Sequence, residues 1–349
     1  MALYRIFPEK DTFISSEPSI AGSYGNAGRD EILEIGGYPD INVTGRAKRT
    51  LIQFKTTEIQ EVINSKVDGP ISASLNLKLA DATELPKSYT LTAFPISSSW
   101  ENGLGKGDDE PKDTSGCTWK HTDAGSSEWV TLGGDFYTNS GSSQAFGIYD
   151  DKDTSIDVTD TVSKHYSGSI PNNGILIKAD TSVELNTTSS IVLKYFSKDT
   201  NTIYKPYLQV KWDDSTYSSS LEELSTDIAT IGIKNAKEKY NDSDKVRFRL
   251  SARPKYPTRA FVTSSIYLTE FRLPSSSYYG IQDETTGEMI VDFDTSFTKV
   301  SADNTSNYFD FYMNSLEPER HYRLLVKTTL NESTIVIDNK NIFKVTKHG

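Results

Sequence analysis

Four histidines, His121, His165, His321 and His348, stand far apart, with no H-x-x-x-H or H-E-x-x-H spacing that would set two imidazoles on one zinc ion. Nothing reads as G-x-S-x-G, a phosphate-binding loop or a dinucleotide fingerprint. The glycine-rich run Gly103-Leu104-Gly105-Lys106-Gly107 precedes no helix and lacks a Lys-Ser/Thr pair. Carboxylates are the remaining chemistry-bearing groups: Asp108-Asp109-Glu110, Asp150-Asp151 with Asp153, Asp199 and Asp213-Asp214. Two carboxyls at a set separation would serve glycoside hydrolysis. Sequence spacing does not set a separation across paired strands, and acidic loop residues are mostly solvated, so no catalytic residue is assigned and a non-enzyme is expected. The same oxygens suit calcium. Asp150, Asp151 and Asp153 are the best local set for a structural Ca²⁺, against the competing reading of a solvated loop; no other cofactor is implied. For a saccharide the useful groups are aromatic ring faces. Trp100, Trp119, Trp129 and Tyr137 lie on or near one long loop, where they either stack on sugar or pack into a core or rim.

These groups need a scaffold, and the composition points to an all-β one. The 349 residues suffice for two domains with ordinary cores. Tyrosine and phenylalanine, 19 and 15 copies, favour half-buried pleated surfaces. A net charge of −11 disfavours nucleic acid and anionic membrane, and the small cluster Arg46-Ala47-Lys48-Arg49 reads as a solvated face. No apolar run is long enough for a membrane span. Cys117 stands alone, so no intrachain disulfide forms, and MALYRIFPEKD carries no signal-peptide core. Synthesis in a cytosol is therefore expected for a fold of extracellular style.

The organising stretch is Asp11 to Phe54. It holds short apolar strands around Thr12–Ile14, at Ile32–Ile35 and at Thr50–Phe54, bounded by turn clusters, with no helix between them. Alternation at Ile71, Ala73, Leu75, Leu77 and Leu79 predicts a half-buried strand. Further strands are expected at Tyr89–Ile96, Ala145–Tyr149, Thr154–Thr159, Ile175–Lys178, Ser190–Tyr195 and Tyr207–Trp212, with a helical turn from Thr159 to Tyr166 capped by Thr159. Glu101 to Ser127 reads as a long loop, a functional segment or a surface insertion. Residues 213–244 read as a linker, partly helical, because Leu224, Ile228 and Ile231 share a helical face. From Lys245 onward, strands at Lys245–Leu250, Ala260–Phe271, Met289–Phe293, Tyr308–Met313, Tyr322–Leu330, Thr334–Ile337 and Phe343–Val345 suit a second sandwich.

Two resemblances follow from particular residues. Asp11-Thr12-Phe13-Ile14, Tyr24-Gly25, Leu33 to Gly36, Arg49-Thr50-Leu51-Ile52-Gln53-Phe54, then Tyr195-Phe196-Ser197-Lys198 and Lys205-Pro206-Tyr207-Leu208-Gln209-Val210 resemble the DNRLRE-type domain, although Phe196 sits one place closer to the serine than that pattern asks. The resemblance implies a jelly-roll β-sandwich over residues 1–212, of a build shared with carbohydrate-binding modules; fold alone names no activity. In residues 245–349, Leu316-Glu317-Pro318-Glu319-Arg320-His321-Tyr322 looks like the tyrosine corner of fibronectin-type domains and implies an Ig or fibronectin-III-like sandwich. Tyr256-Pro257-Thr258-Arg259-Ala260-Phe261, Leu273-Pro274 with Tyr278-Tyr279, and Asn307-Tyr308-Phe309 are similar to C-terminal domains of structural proteins in T4-like bacteriophages.

Together these readings make a virion structural protein the expected function, at a neck, tail, baseplate or capsid position. Its partners would be other virion proteins, in a multi-copy ring. The alternative is a carbohydrate-binding protein that recognises a cell-surface glycan.

Overall fold

The computed structural model describes residues 2–347 except 18–23, 41–42, 108, 110–112, 114, 227 and 258–268. The expected strand at Ala260–Phe271 falls largely outside the described residues, as do Asp108, Glu110, the Thr258–Phe261 part of the phage-like text and His348. The chain is all-β and forms two compact units, Arg5–Lys66 with Ser72–Val210, and Met1–Tyr4 with Val67–Ile71 and Lys211–Gly349.

In the first half of the chain the elements are β1 (Ala2–Ile6), β2 (Pro8–Ser15), β3 (Ile32–Asp40), β4 (Val43–Phe54), α1 (Thr56–Ser65), β5 (Ile71–Leu77), β6 (Leu79–Thr83) and β7 (Tyr89–Pro95). After them come β8 (His121–Asp123), β9 (Ser127–Glu128), β10 (Ser142–Phe146), β11 (Thr154–Asp157), α2 (Thr159–Ser167), β12 (Ile175–Ala179), α3 (Thr181–Glu184), β13 (Ile191–Phe196) and β14 (Tyr207–Trp212). The large sheet runs β10-β7-β12-β4-β3-β13-β6, with β2 also on β4, and a smaller sheet runs β1-β14-β5-β11.

Strand β4 is the hub. Leu51 lies opposite both Thr12 and Leu176, and Ile52 opposite both Asp11 and Ile175. Both Leu51 and Ile52 are fully buried. A strand covered on both faces reads as an unbroken apolar run rather than an alternating one, which is why "TLIQF" and "ILI" lack period two. Gly36 in β3 carries φ +134°, and a Cβ there would stand 2.1 Å from the Ile191 carbonyl oxygen, so the position demands glycine.

Two expectations change here. The five-position alternation is divided between β5 and β6, which belong to different sheets, because the chain crosses over at Lys78. Helix α2 forms, but Thr159 does not cap it. Its hydroxyl accepts from the Ala73 N–H at 2.9 Å, while the Asp157 carboxylate accepts from the Thr159 N–H at 2.9 Å.

The second unit holds β15 (Ala229–Ile233), β16 (Lys239–Asn241), β17 (Lys245–Pro254), β18 (Tyr278–Asp283), β19 (Met289–Val291), β20 (Ser301–Ala302), β21 (Asn307–Tyr312), β22 (His321–Leu330) and β23 (Ser333–Thr346). One sheet is β15-β17-β21-β20 and the other β16-β23-β22-β18-β19, a two-sheet sandwich of Ig and fibronectin-III order. The tyrosine corner is present: Tyr322 Oη donates to the Glu317 carbonyl at 2.8 Å. Stacked rings fill the core, with Tyr279 and Phe309 centroids 3.9 Å apart and Phe248 and Phe309 5.2 Å apart.

The linker expected at 213–244 is corrected, since this segment is part of the sandwich. β15 pairs with β17, β16 runs parallel to β23, and Leu224 N–H bonds the Arg272 carbonyl at 2.9 Å. Leu224 and Ile231 are buried in the core, so their spacing serves a strand and a bridge rather than a helix. The chain start is also built in: Leu3 joins this core, and its carbonyl accepts the Ser315 hydroxyl at 2.8 Å.

Candidate functional site

The basic run of β4 is where the first unit concentrates its charge chemistry. Successive side chains of a strand point to opposite faces, so Lys48 and Arg49 diverge. The Lys48 ammonium pairs with the Glu34 carboxylate and lies 5.3 Å from the Phe13 ring centroid and 4.8 Å from that of Tyr38. Arg49 forks onto Glu184, donates to the Gly133 carbonyl at 2.9 Å and stacks 4.9 Å from the Trp119 ring centroid. Lys178 adds a second cation to Glu184 at 2.9 Å. The Lys48 and Arg49 side chains are only 12% and 13% exposed, which corrects the reading of this cluster as a solvated face.

On the Lys48 side opens a cleft of about 410 Å³, lined by Phe13, Asp30, Glu31, Lys48, Lys106 and Lys194 among others. Its charges alternate: Lys106 pairs with Glu31 at 2.8 Å, and Lys194 stands 3.9 Å from Glu34. Burial raises the Asp30 carboxyl above the ordinary aspartate value, while the N–H groups of Gly107 and Ile32 pull it back. Both Asp30 oxygens are engaged, Oδ2 accepting from Gly107 at 2.9 Å and Oδ1 from Ile32 at 3.0 Å. A carboxyl held this way fastens a loop. It is badly placed to pass a proton to a substrate, which requires hydrogen-bond reach to the reacting group.

The long loop after Trp100 folds back as a second core. Ile14, Ala47, Leu51 and Leu176 on one face of the large sheet meet Ile96, Trp100, Cys117, Trp119 and Trp129. Asn26, itself buried, clasps the loop: Nδ2 donates to the carbonyls of Asn102 and Cys117, both at 2.8 Å, and Oδ1 accepts from Gly28 and Gly105 N–H, both at 3.0 Å. Gly103, at φ +78°, lies so close that a Cβ would meet Asn26 Oδ1 at 2.2 Å. Asp135 secures the far end, accepting from Val130 N–H at 2.9 Å and Thr131 N–H at 2.8 Å.

Each residue singled out from sequence can now be placed. Trp100, Trp119 and Trp129 are 2%, 8% and 4% exposed, so their rings offer no face to a sugar, and packing is the correct reading. The Trp100 and Trp129 indole N–H groups donate to Asn173 and Thr118 carbonyls at 2.8 and 2.9 Å. Tyr137 is half-buried, and its N–H donates to the Pro95 carbonyl at 2.9 Å. Asp150 accepts from the Gly147 N–H at 2.6 Å, Asp151 from the Asp153 N–H at 3.1 Å, and Asp153 pairs with Lys78 at 2.8 Å. These three carboxylates serve the turn and a lysine; among the described residues no group of three His, Cys, Asp or Glu is gathered for a metal ion. His165 is a core histidine whose burial pushes its pKa down to about 4. Glu184 and Asn26 escaped sequence reasoning. Arg49 belonged to a recognised motif, but its partner stands 135 positions away with nothing local to mark it.

No family model matches the chain, and no curated protein matches it. Among solved structures, a DUF4785 family protein from Legionella pneumophila is 9% identical, covering 97% of this chain and 65% of that one at a TM-score of 0.20. A Parabacteroides merdae β-glucuronidase is 8% identical over 82% of this chain and 30% of that one, TM-score 0.19. Bacteroides uniformis β-glucuronidase 3 is 9% identical over 82% and 28%, TM-score 0.18. The chain thus spans less than two thirds of each, and overlap of this size carries no argument about fold or activity.

Proposed function

We propose that the chain is a non-enzymatic structural protein of a tailed bacteriophage particle, acting through docking to protein neighbours and present in several copies. The observation that supports this reading is the fate of the long loop. Cys117 and Trp119, from the segment with room for a binding or catalytic surface, are instead built into a second hydrophobic core, clasped by Asn26 and backed by the Arg49–Glu184 pair. Trp119 and the buried Arg49–Glu184 pair behind it are spent on rigidity, which suits a block that transmits contacts between neighbours. The assignment to a phage particle rests on the sequence resemblance of the second unit, and a ring of copies is the arrangement such an adaptor would take. The test is proteomics and chemical cross-linking of purified particles from the phage that encodes the chain. Cross-links from this chain to other particle proteins are expected. Its absence from particles, with the chain recovered as a monomer outside cells, would overturn the proposal.

A further inference from the structure

The second unit carries a groove of about 430 Å³ that the docking reading does not use. Its lining is Ser215, Tyr217, Ser275, Ser276, Tyr278 and Lys299, above a floor at buried Val300. Tyr217 is 39% exposed yet held in place: its phenol donates to the Leu273 carbonyl, and the Arg272 guanidinium lies 5.3 Å from its ring centroid. The backbone under it is fixed as well, with Ala302 N–H donating to the Thr216 carbonyl and Ser218 N–H to the Ala302 carbonyl, both at 3.0 Å. Tyr278 faces Lys299 across an isolated bridge, and the Lys299 ammonium is steadied 3.5 Å from Asp213.

We infer that this groove binds a neutral saccharide of one or two rings. A pyranose presents an apolar C–H face and a rim of hydroxyls. The groove offers the matching pair, tyrosine rings over an apolar floor, and a border of three serine hydroxyls and one ammonium. Small-molecule sites combine an apolar or aromatic lining with a few placed polar groups in clefts of roughly 300–1,000 Å³. An aromatic ring already held by its phenol and by a cation loses little freedom when a ligand stacks on it, which favours binding. The Lys299–Asp213 pair is locally neutral, so an uncharged ligand fits better than an anion. This inference stands apart from the docking proposal and names a different unit from the tryptophan-bearing loop.

Saturation-transfer NMR on the full chain tests it, with cellobiose, lactose, maltose and N,N′-diacetylchitobiose as probes. Transfer to the ring protons of at least one disaccharide is expected. Ser275→Trp fills the groove and removes one of its three border hydroxyls, and should weaken that binding roughly tenfold or more. Tyr217→Ala should do the same, while Tyr217→Phe keeps the ring face and most of the affinity. Near-UV circular dichroism verifies that each variant keeps the native packing. Silence from all four probes with the native chain overturns the inference, as does transfer undiminished in Ser275→Trp.

Discussion

Arg49 and Glu184 face each other through two parallel hydrogen bonds, Nε to Oε1 at 2.8 Å and NH2 to Oε2 at 2.9 Å, and so tie β4 to α3. The Glu184 side chain is 3% exposed, so the pair sits out of water with Lys178 as its companion. Removing one partner of a buried pair strands the other charge, at a cost of roughly 3–5 kcal/mol. Arg49→Met should destabilise the first unit by about 2 kcal/mol, short of that full cost because Lys178 still pairs with Glu184, and Arg49→Lys should lose much of the same, because an ammonium cannot fork onto both oxygens. Urea unfolding followed by tryptophan fluorescence reads this. A loss below about 1 kcal/mol would show that the pair is not a staple.

The Asn26 clasp has a local signature as well as a global one. Asn26→Ala deletes the amide and leaves the part-buried Asn102 carbonyl, the buried Cys117 carbonyl and the buried Gly28 and Gly105 N–H groups without it. Each orphaned buried group costs on the order of 1–3 kcal/mol. Limited proteolysis should cut within residues 101–127 markedly faster in the variant than in the native chain. Equal cleavage rates would remove Asn26 from this role.

Asp11 makes stability depend on pH. It is buried, Oδ2 accepts from the Lys198 N–H at 2.6 Å, and Oδ1 has no hydrogen-bond partner among the described residues. Burial raises its pKa from 3.8 to about 7, opposed by the Lys198 N–H and the Lys198 charge. The folded state thus holds a proton that the unfolded chain releases. The stabilisation from Asp11 is complete below about pH 4 and is lost as pH climbs through about 7. Asp11→Asn cannot ionise, so the difference in melting temperature between variant and native chain should move in the variant's favour between pH 4 and 8. A difference that stays flat across that range would refute the assignment.

In the second unit the tyrosine corner is the simplest target. Tyr322→Phe keeps the buried ring and removes the bond to the Glu317 carbonyl. A loss of about 1–2 kcal/mol is expected for that unit. Hydrogen exchange of the β22 and β23 amides reports it directly, and protection unchanged from the native chain would count against the corner as a staple.

Much of the architecture was legible in the residues. Short β-branched and aromatic runs between turn clusters specified an all-β chain, because strand propensity and face alternation are local properties of the text. The corner Leu316–Tyr322 was readable for the same reason, its donor and acceptor being five positions apart. Residues 213–244 were misread because β15 and β16 are short edge strands whose partners, β17 and β23, must already be in place. The fate of the charged and aromatic residues was decided only in three dimensions. Arg49 reads as a surface cation until Glu184 arrives from 135 positions away, and Trp119 reads as either a sugar platform or a packing residue until the loop closes over it. Burial and long-range pairing depend on which strands become neighbours, and side-chain identity alone does not carry that information.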